Sequence, residues 1–288
     1  MRILDTENYY NLVNGYKDLF LSPASAPSQE RYRNGTTFEE LYALYQFDRD
    51  IRHIYLKYLL KVENTFKSVL AHEFSALYGH DNYLKLENFD AVPDNISSII
   101  KLFGDIQQET ARQMSKHHQA VTHYLSDYGY IPLWVLVNVL TFGKVTMFYK
   151  LMKPQDKQNI ARKFHVDAKE LHKYMSLCGL ARNQCAHDER FFDLKFRWHL
   201  HTRSIANFSC LGLERDKSGS YPSGTNDVYA IGIVFARLLG TADTAEFIAS
   251  MSAAFSKLEQ QLHTISIKDV MRIMGYPATW ERLQQLAR

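Results

Sequence analysis

The stretch Ala181-Arg182-Asn183-Gln184-Cys185-Ala186-His187-Asp188-Glu189-Arg190 decides how the chain is read. It sets two arginines, an asparagine, a histidine and two acids in ten residues. An apolar, helix-like segment, Leu171–Leu180, leads directly into it. Residues three and four apart share a helix face, so a helix carried through the stretch puts Asn183, His187 and Arg190 on one polar stripe. Leu177, Leu180 and Ala181 fall on another. Arg182 and His187 are five apart, roughly 140° around an ideal helix. They meet one small target only if the helix bends or both lean toward a groove.

These residue types suit a phosphodiester. Histidine moves protons near neutral pH. Arginine holds phosphate oxygens with a fixed fork of donors, and asparagine can orient either. RNA fits best because it carries its own nucleophile. A base takes the 2′-hydroxyl proton, the oxygen attacks the adjacent phosphorus, and a cation steadies the crowded intermediate. No cofactor or metal is called for. One histidine is few for both acid and base work, and a symmetric homodimer would place two stripes across one cleft. The plainer alternative is a helix whose Arg and His pair with neighbouring acids such as Asp188 and Glu189.

Arg182-Asn183-x-x-x-His187 resembles the R-x4-6-H motif of the HEPN superfamily of helical RNA-cleaving and RNA-binding domains. The wider string from Leu180 to Phe192 resembles the Abi-like family, abortive-infection proteins of AbiD and AbiF type. Two other places carry the same resemblance. One is Tyr32-Arg33-Asn34-Gly35-Thr36-Thr37-Phe38 running on to Phe47-Asp48-Arg49-Asp50-Ile51-Arg52. The other is Ile131-Pro132-Leu133-Trp134-Val135 with Leu140-Thr141-Phe142-Gly143. The resemblance implies an all-α, HEPN-like helical bundle and a phage-defence protein. It implies a metal-independent endoribonuclease toxin, with Arg182, Asn183, His187 and an acid on an earlier helix, Glu63, as the catalytic group. The alternative it implies is a binding module that forms a ribonucleoprotein with a structured small non-coding RNA. One departure stands out: Asp188 occupies a place where family members often carry a second histidine.

Composition agrees with a helical protein. The 288 residues are 46% hydrophobic, enough for a sizeable core. The net charge of +3 requires any RNA surface to be local. Three cysteines without C-x-x-C spacing argue for a reducing interior, with Cys178, Cys185 and Cys210 as buried apolar residues. Met1–Tyr10 lacks the apolar core of a signal peptide, and the apolar run near Ile131–Leu140 is too short to span a bilayer. A cytoplasmic protein without membrane contact is expected.

Along the chain, residues 5–20 read as a short helix, and Ser22–Ser28 as a Pro/Ser loop. Thr36 or Thr37 can cap a long helix to about Leu77, with Glu39 or Glu40 closing a capping box. Leu44, Ile51, Tyr55, Tyr58, Val62, Phe66 and Val69 recur on its apolar face. Glu63 and Lys67, four apart, read either as a surface ion pair or as an acid that orients Arg182 or His187 beside a phosphate-holding lysine. Asp94–Tyr124 reads as a helix with a polar second half, where His117, His118 and His123 make a solvated face. Trp134 reads as a core anchor. Asp167 can cap the motif helix.

Beyond the motif, Lys195–Arg203 alternates with period two. Lys195, Arg197, His199, His201 and Arg203 point one way, and Phe196, Trp198 and Leu200 the other. Basic and aromatic groups together serve the phosphates and bases of single-stranded RNA. With Arg190 and Lys67 these form the candidate RNA-binding set. Arg215–Asp227 reads as a Gly/Ser/Pro loop, and four helical stretches follow to Leu286. Residues 1–205 are thus expected to form the HEPN-like domain, and residues 206–288 a helical extension packed on the same unit.

Overall fold

A computed structural model describes residues 7–22, 30–205 and 207–287. The Pro23–Ser28 part of the expected loop and the first six residues of the chain lie outside them. Ten α-helices account for most of the described chain. They are α1 Phe38–Tyr78, α2 Pro93–Ser115, α3 Gln119–Tyr128, α4 Leu133–Val139, α5 Phe142–Leu151, α6 Pro154–Lys163, α7 Ala168–Ala186, α8 Val228–Leu238, α9 Thr241–Glu259 and α10 Ile267–Met274. The fold is all-α, and no strand occurs among the described residues. None of the helices among them is long and apolar enough to cross a membrane.

The chain divides into two compact units. The first comprises Met1–Tyr58 with Ala181–Arg288, and the second Leu59–Leu180. The division falls inside α1 and inside α7.

Two features explain where the first unit places its helices. Thr37 caps α1 by accepting the Glu40 amide at 3.3 Å. Glu40 does not close the expected capping box. Its buried carboxylate instead accepts the amides of His263 and Thr264 at 2.7 and 2.6 Å, and the Thr264 hydroxyl at 2.8 Å. It thereby ties the start of α1 to the link between α9 and α10. The core forms around Tyr55, whose ring meets Phe191 at 4.9 Å, Phe247 at 5.2 Å and Phe235 at 5.6 Å. Its hydroxyl is satisfied by the Val228 carbonyl and the Tyr276 hydroxyl. A buried Tyr needs such a partner, and the two bonds fix α1 against α8 and the segment after α10.

In the second unit, Phe74 meets Phe89 and Phe148, while Phe66 meets Phe142, Tyr149 and Phe164. These contacts join α1 to α5 and to the connections around α2 and α6. The expected Asp94–Tyr124 helix is two helices. It breaks where His117 takes a positive φ of 53°, a conformation that ends regular helix. Asp167 caps α7 by accepting the Glu170 amide at 2.8 Å, as its position before the apolar run predicts. Trp134 is not a core anchor: it is 48% exposed on the short helix α4, and the adjacent Leu133 and Leu136 fill the interior instead. Cys178 and Cys185 are buried, and Cys210 is half-buried.

Candidate functional site

The motif helix ends sooner than its sequence suggests. α7 stops at Ala186, and Asp188 takes a left-handed backbone with φ 57°. The Glu189 amide then reaches back to the Gln184 carbonyl at 3.3 Å, and the His187 amide to the Asn183 carbonyl at 3.0 Å. This is the six-to-one closure of a Schellman C-cap, with aspartate where glycine is usual. His187 is therefore the C-cap residue, and Arg190 lies past the helix. The expected stripe of three is reduced to Asn183 and His187, both exposed. Arg182 is half-buried.

A side chain in that backbone conformation costs about 1–2 kcal/mol unless something offsets it. Here Arg52 does. Its guanidinium pairs with Asp188 and donates to the Glu189 carbonyl at 3.1 Å. It also pairs with Asp48 one turn earlier on α1. Asp48 is fully buried and accepts four further bonds, from the Tyr16 hydroxyl at 2.7 Å, from Phe191 N to both of its oxygens at 3.2 Å, and from Phe192 N at 2.6 Å. Burial pushes the Asp48 carboxyl up to about 6, against the pull of Arg52, Tyr16 and the two amides. It is ionised at neutral pH and holds Arg52 charged. Burial also raises the Tyr16 hydroxyl and moves the Cys185 thiol up to about 12, so neither is a proton donor to solvent or a thiolate.

The result is a fixed turn beside a hollow of about 460 Å³. His187, Asp188, Glu189 and Arg190 line one side, and Tyr10, Gly15 and Tyr45 the other. Arg190 is held there by the Gly15 carbonyl and by Asp193 at 2.9 Å. Arg182 and Asn183 do not line this hollow, so within one chain the arginine and the histidine of the motif do not converge on it.

Glu63 and Lys67 belong to the second unit. They form the i,i+4 ion pair expected of them, at 2.8 Å, but it is buried rather than on the surface. Lys67 also donates to the Leu140 carbonyl at 3.0 Å. Two of its three ammonium donors are thus engaged by neighbours in its own unit.

The segment after the motif is only partly the expected extended run: it makes one isolated bridge at Lys195, bends at Arg197 and Trp198, and ends in a 3-10 turn, Thr202–Ser204, that carries Arg203. The amides of Phe196 and Leu200 donate to the carbonyls of Asn226 and Thr225 at 2.6 and 2.8 Å. Phe196 and Leu200 are buried, whereas Trp198 between them is 52% exposed. Lys195 pairs with Asp227 at 3.3 Å, His199 bonds the Thr225 hydroxyl at 2.9 Å, and Arg197 and Arg203 are exposed. No cluster of three or more His, Cys, Asp or Glu among the described residues could hold a metal.

Sequence reasoning gave Asp48, Arg52 and Tyr16 no role. The i,i+4 spacing of the first two was visible, but their targets are set by the tertiary fold. No curated protein and no solved structure matches the chain. A family model, described as Abi-like protein, matches residues 2–193, a span that includes the His187 turn and the two amides that Asp48 holds. The chain belongs to the Abi-like protein family, and that membership suggests abortive-infection phage defence.

Proposed function

We propose that this is a phage-defence protein of HEPN type, close to AbiD and AbiF, that cleaves RNA without a metal. The observation that carries the reading is the His187 turn. An exposed imidazole stands at a hollow of about 460 Å³, on a turn braced by the buried Arg52–Asp48 pair. His187 takes the proton of a 2′-hydroxyl. The 2′-oxygen attacks the adjacent phosphorus, the bond to the 5′-oxygen breaks, and the products carry a 2′,3′-cyclic phosphate and a 5′-hydroxyl. Arg182 stabilises the charge on the phosphorane, and Asn183 orients the reacting groups. A homodimer supplies a second His187 to protonate the leaving oxygen, which accounts for an Arg182 outside the single-chain hollow. Residues 1–205 carry this machinery in the cytoplasm, and residues 206–288 extend it. Arg190, Lys195, Arg197, His199 and Arg203 serve RNA binding, whereas Lys67 is buried against Glu63 and the Leu140 carbonyl and is left out of this set.

The test compares the wild type with His187→Ala on cellular RNA in the presence of a chelator. General acid–base catalysis contributes about 10²–10⁴-fold. The variant is expected to lose cleavage by that factor while keeping RNA affinity. Cyclic-phosphate fragments produced equally by both proteins would overturn the assignment.

A second reading is favoured by Asp188. It stands where a second histidine is common in the family, and its carboxylate is taken up by Arg52. A chain that binds a structured small RNA and cuts slowly or not at all fits that substitution. One discrete RNA copurifying with the wild type, with no His187-dependent fragments, would select it.

A further inference from the structure

Residues 199–203 and 215–225 enclose a second hollow, of about 400 Å³, in the C-terminal part of the first unit. Three cationic or titratable side chains from separate positions line it: His199, Arg203 and Arg215. Hydroxyls of Thr202, Ser220 and Tyr221 complete the wall. The whole pocket lies beyond residue 193, where the family match ends.

The two arginines have no carboxylate to neutralise them among the described residues. Arg203 is exposed and forms no hydrogen bond or ion pair among the described residues. Arg215 donates to the Tyr221 hydroxyl at 3.1 Å and stacks over that ring, 4.9 Å from its centroid. Two acids flank Arg215: Glu214 is exposed and forms no ion pair among the described residues, and Asp216 is turned to its own loop. It accepts the Ser218 amide and hydroxyl at 2.8 and 2.6 Å and the Ser220 amide at 3.0 Å. His199 is oriented by Thr225, a buried residue whose hydroxyl occupies Nδ1 and leaves Nε2 as the second polar position of the ring. Two guanidinium forks beside the hydroxyls of Thr202 and Tyr221 in one concavity form a donor-rich site for a tetrahedral oxyanion, with the His199 ring in its wall.

We propose that this hollow binds a phosphate group, separately from the His187 turn. Under the RNA reading, on which only the identity of the ligand rests, the phosphate belongs to the bound strand. It follows the basic segment that carries Arg197 and the exposed Trp198. The same chemistry would accept the phosphate of a free mononucleotide.

The experiment measures binding of three probes to the wild type and to Arg203→Gln and Arg203→Gln/Arg215→Gln. The probes are a 5′-phosphorylated oligouridylate of about ten nucleotides, uridine 5′-monophosphate and inorganic phosphate. The exposed Arg203 can be changed without breaking a hydrogen bond or ion pair among the described residues, so that single variant reads the site even if the double one is less stable. If the strand occupies the hollow, the double variant binds the oligonucleotide roughly tenfold more weakly, as the removal of charge-assisted bonds implies. The slope of log K against log salt falls by about 0.7 for each phosphate that the variant no longer neutralises. Oligonucleotide binding that is undetectable, with monophosphate or phosphate binding that needs Arg203, keeps the phosphate site and removes the RNA reading. Oligonucleotide binding with unchanged affinity and salt slope in both variants overturns the phosphate site and leaves the RNA reading standing. No arginine-dependent binding of any probe overturns the site as well.

Discussion

Arg52 and Asp188, 136 positions apart in the chain, form an ion pair that fixes the turn immediately after His187. The pair joins a nearly buried guanidinium to an exposed carboxylate, with side-chain exposures of 4% and 71%. The two ends therefore respond differently to mutation. Arg52→Gln leaves the buried Asp48 carboxylate uncompensated and is expected to cost about 3–5 kcal/mol, read from the urea unfolding midpoint. Asp188→Gly keeps the left-handed turn and removes only the pair. Asp188→Ala removes both. Asp188→Gly should stay within about 1 kcal/mol of the wild type, and Asp188→Ala should lose about 1–2 kcal/mol. Cleavage should fall further for the alanine than for the glycine variant. Equal rates would mean that the turn does not position His187.

Two buried carboxylates on α1 give stability opposite dependences on pH. Burial pushes Glu40 up, but the amides of His263, Thr264 and Ile265 and the Thr264 hydroxyl together outweigh it and hold the carboxyl below its usual range. A depressed folded value means that the native state binds fewer protons than the unfolded chain. The Glu40 contribution is present above the unfolded value near 4.5 and is lost as pH falls through the folded one. Asp48 is raised from 3.8 to about 6, so its contribution is full below 3.8 and is lost as pH rises through 6. Unfolding free energies followed from pH 7 down through pH 4.5 to about pH 3 separate them. Relative to the wild type, Asp48→Asn should remove a fall in stability between pH 4.5 and pH 7. Glu40→Gln should remove a loss that sets in toward the acid end.

The long α1 and the cap of α7 were legible because each is a local rule expressed over several residues. Leu44, Ile51, Tyr55 and Tyr58 repeat at helical spacing and are all buried. The end of α7 was not legible. An aspartate in the position that glycine usually takes looks like one more helical residue, and only Arg52 makes it a cap. Trp134 illustrates the same limit. Its apolar neighbours suggested a core role, but α4 is seven residues long and buries only the face of Leu133, Leu136 and Val137. Glu40 satisfied the spacing of a capping box, yet the amides around Thr264 compete for it and win. In each case an interaction distant in sequence overrides a local preference.

Gly275 closes α10 with φ 84°, and a Cβ there would overlap the buried Asp227 carboxylate. Asp227 caps α8 by accepting the Ala230 amide, and it also holds Gly224 N and Lys195. Gly275→Ala therefore combines backbone strain with the displacement of a capping residue. A loss of about 2–5 kcal/mol is expected, measured by thermal or urea unfolding. Gly240→Ala is the control: its φ is −72°, and nothing lies within 4 Å of a Cβ built there. It should change stability by less than about 1 kcal/mol. Similar losses in both variants would show that the proximity of Asp227 is not what makes Gly275 necessary.

Trp198 tests the RNA reading without touching the proton-transfer group. Phe196 and Leu200 on either side are buried and anchor the segment through their amides, so the backbone around Trp198 is set independently of its ring. The indole is 52% exposed, which leaves a flat apolar face beside the cation of Arg197. Stacking on such a ring is worth about 1–3 kcal/mol per base. Trp198→Ala should thus weaken binding of a single-stranded oligonucleotide by roughly 5- to 150-fold at fixed salt. The salt slope should be unchanged, because every phosphate keeps its cation. Trp198→Phe should recover part of the affinity. Fluorescence anisotropy with a labelled strand measures both quantities. A changed salt slope with unchanged affinity would assign the segment to phosphates alone, and no change in either would remove Trp198 from the RNA surface.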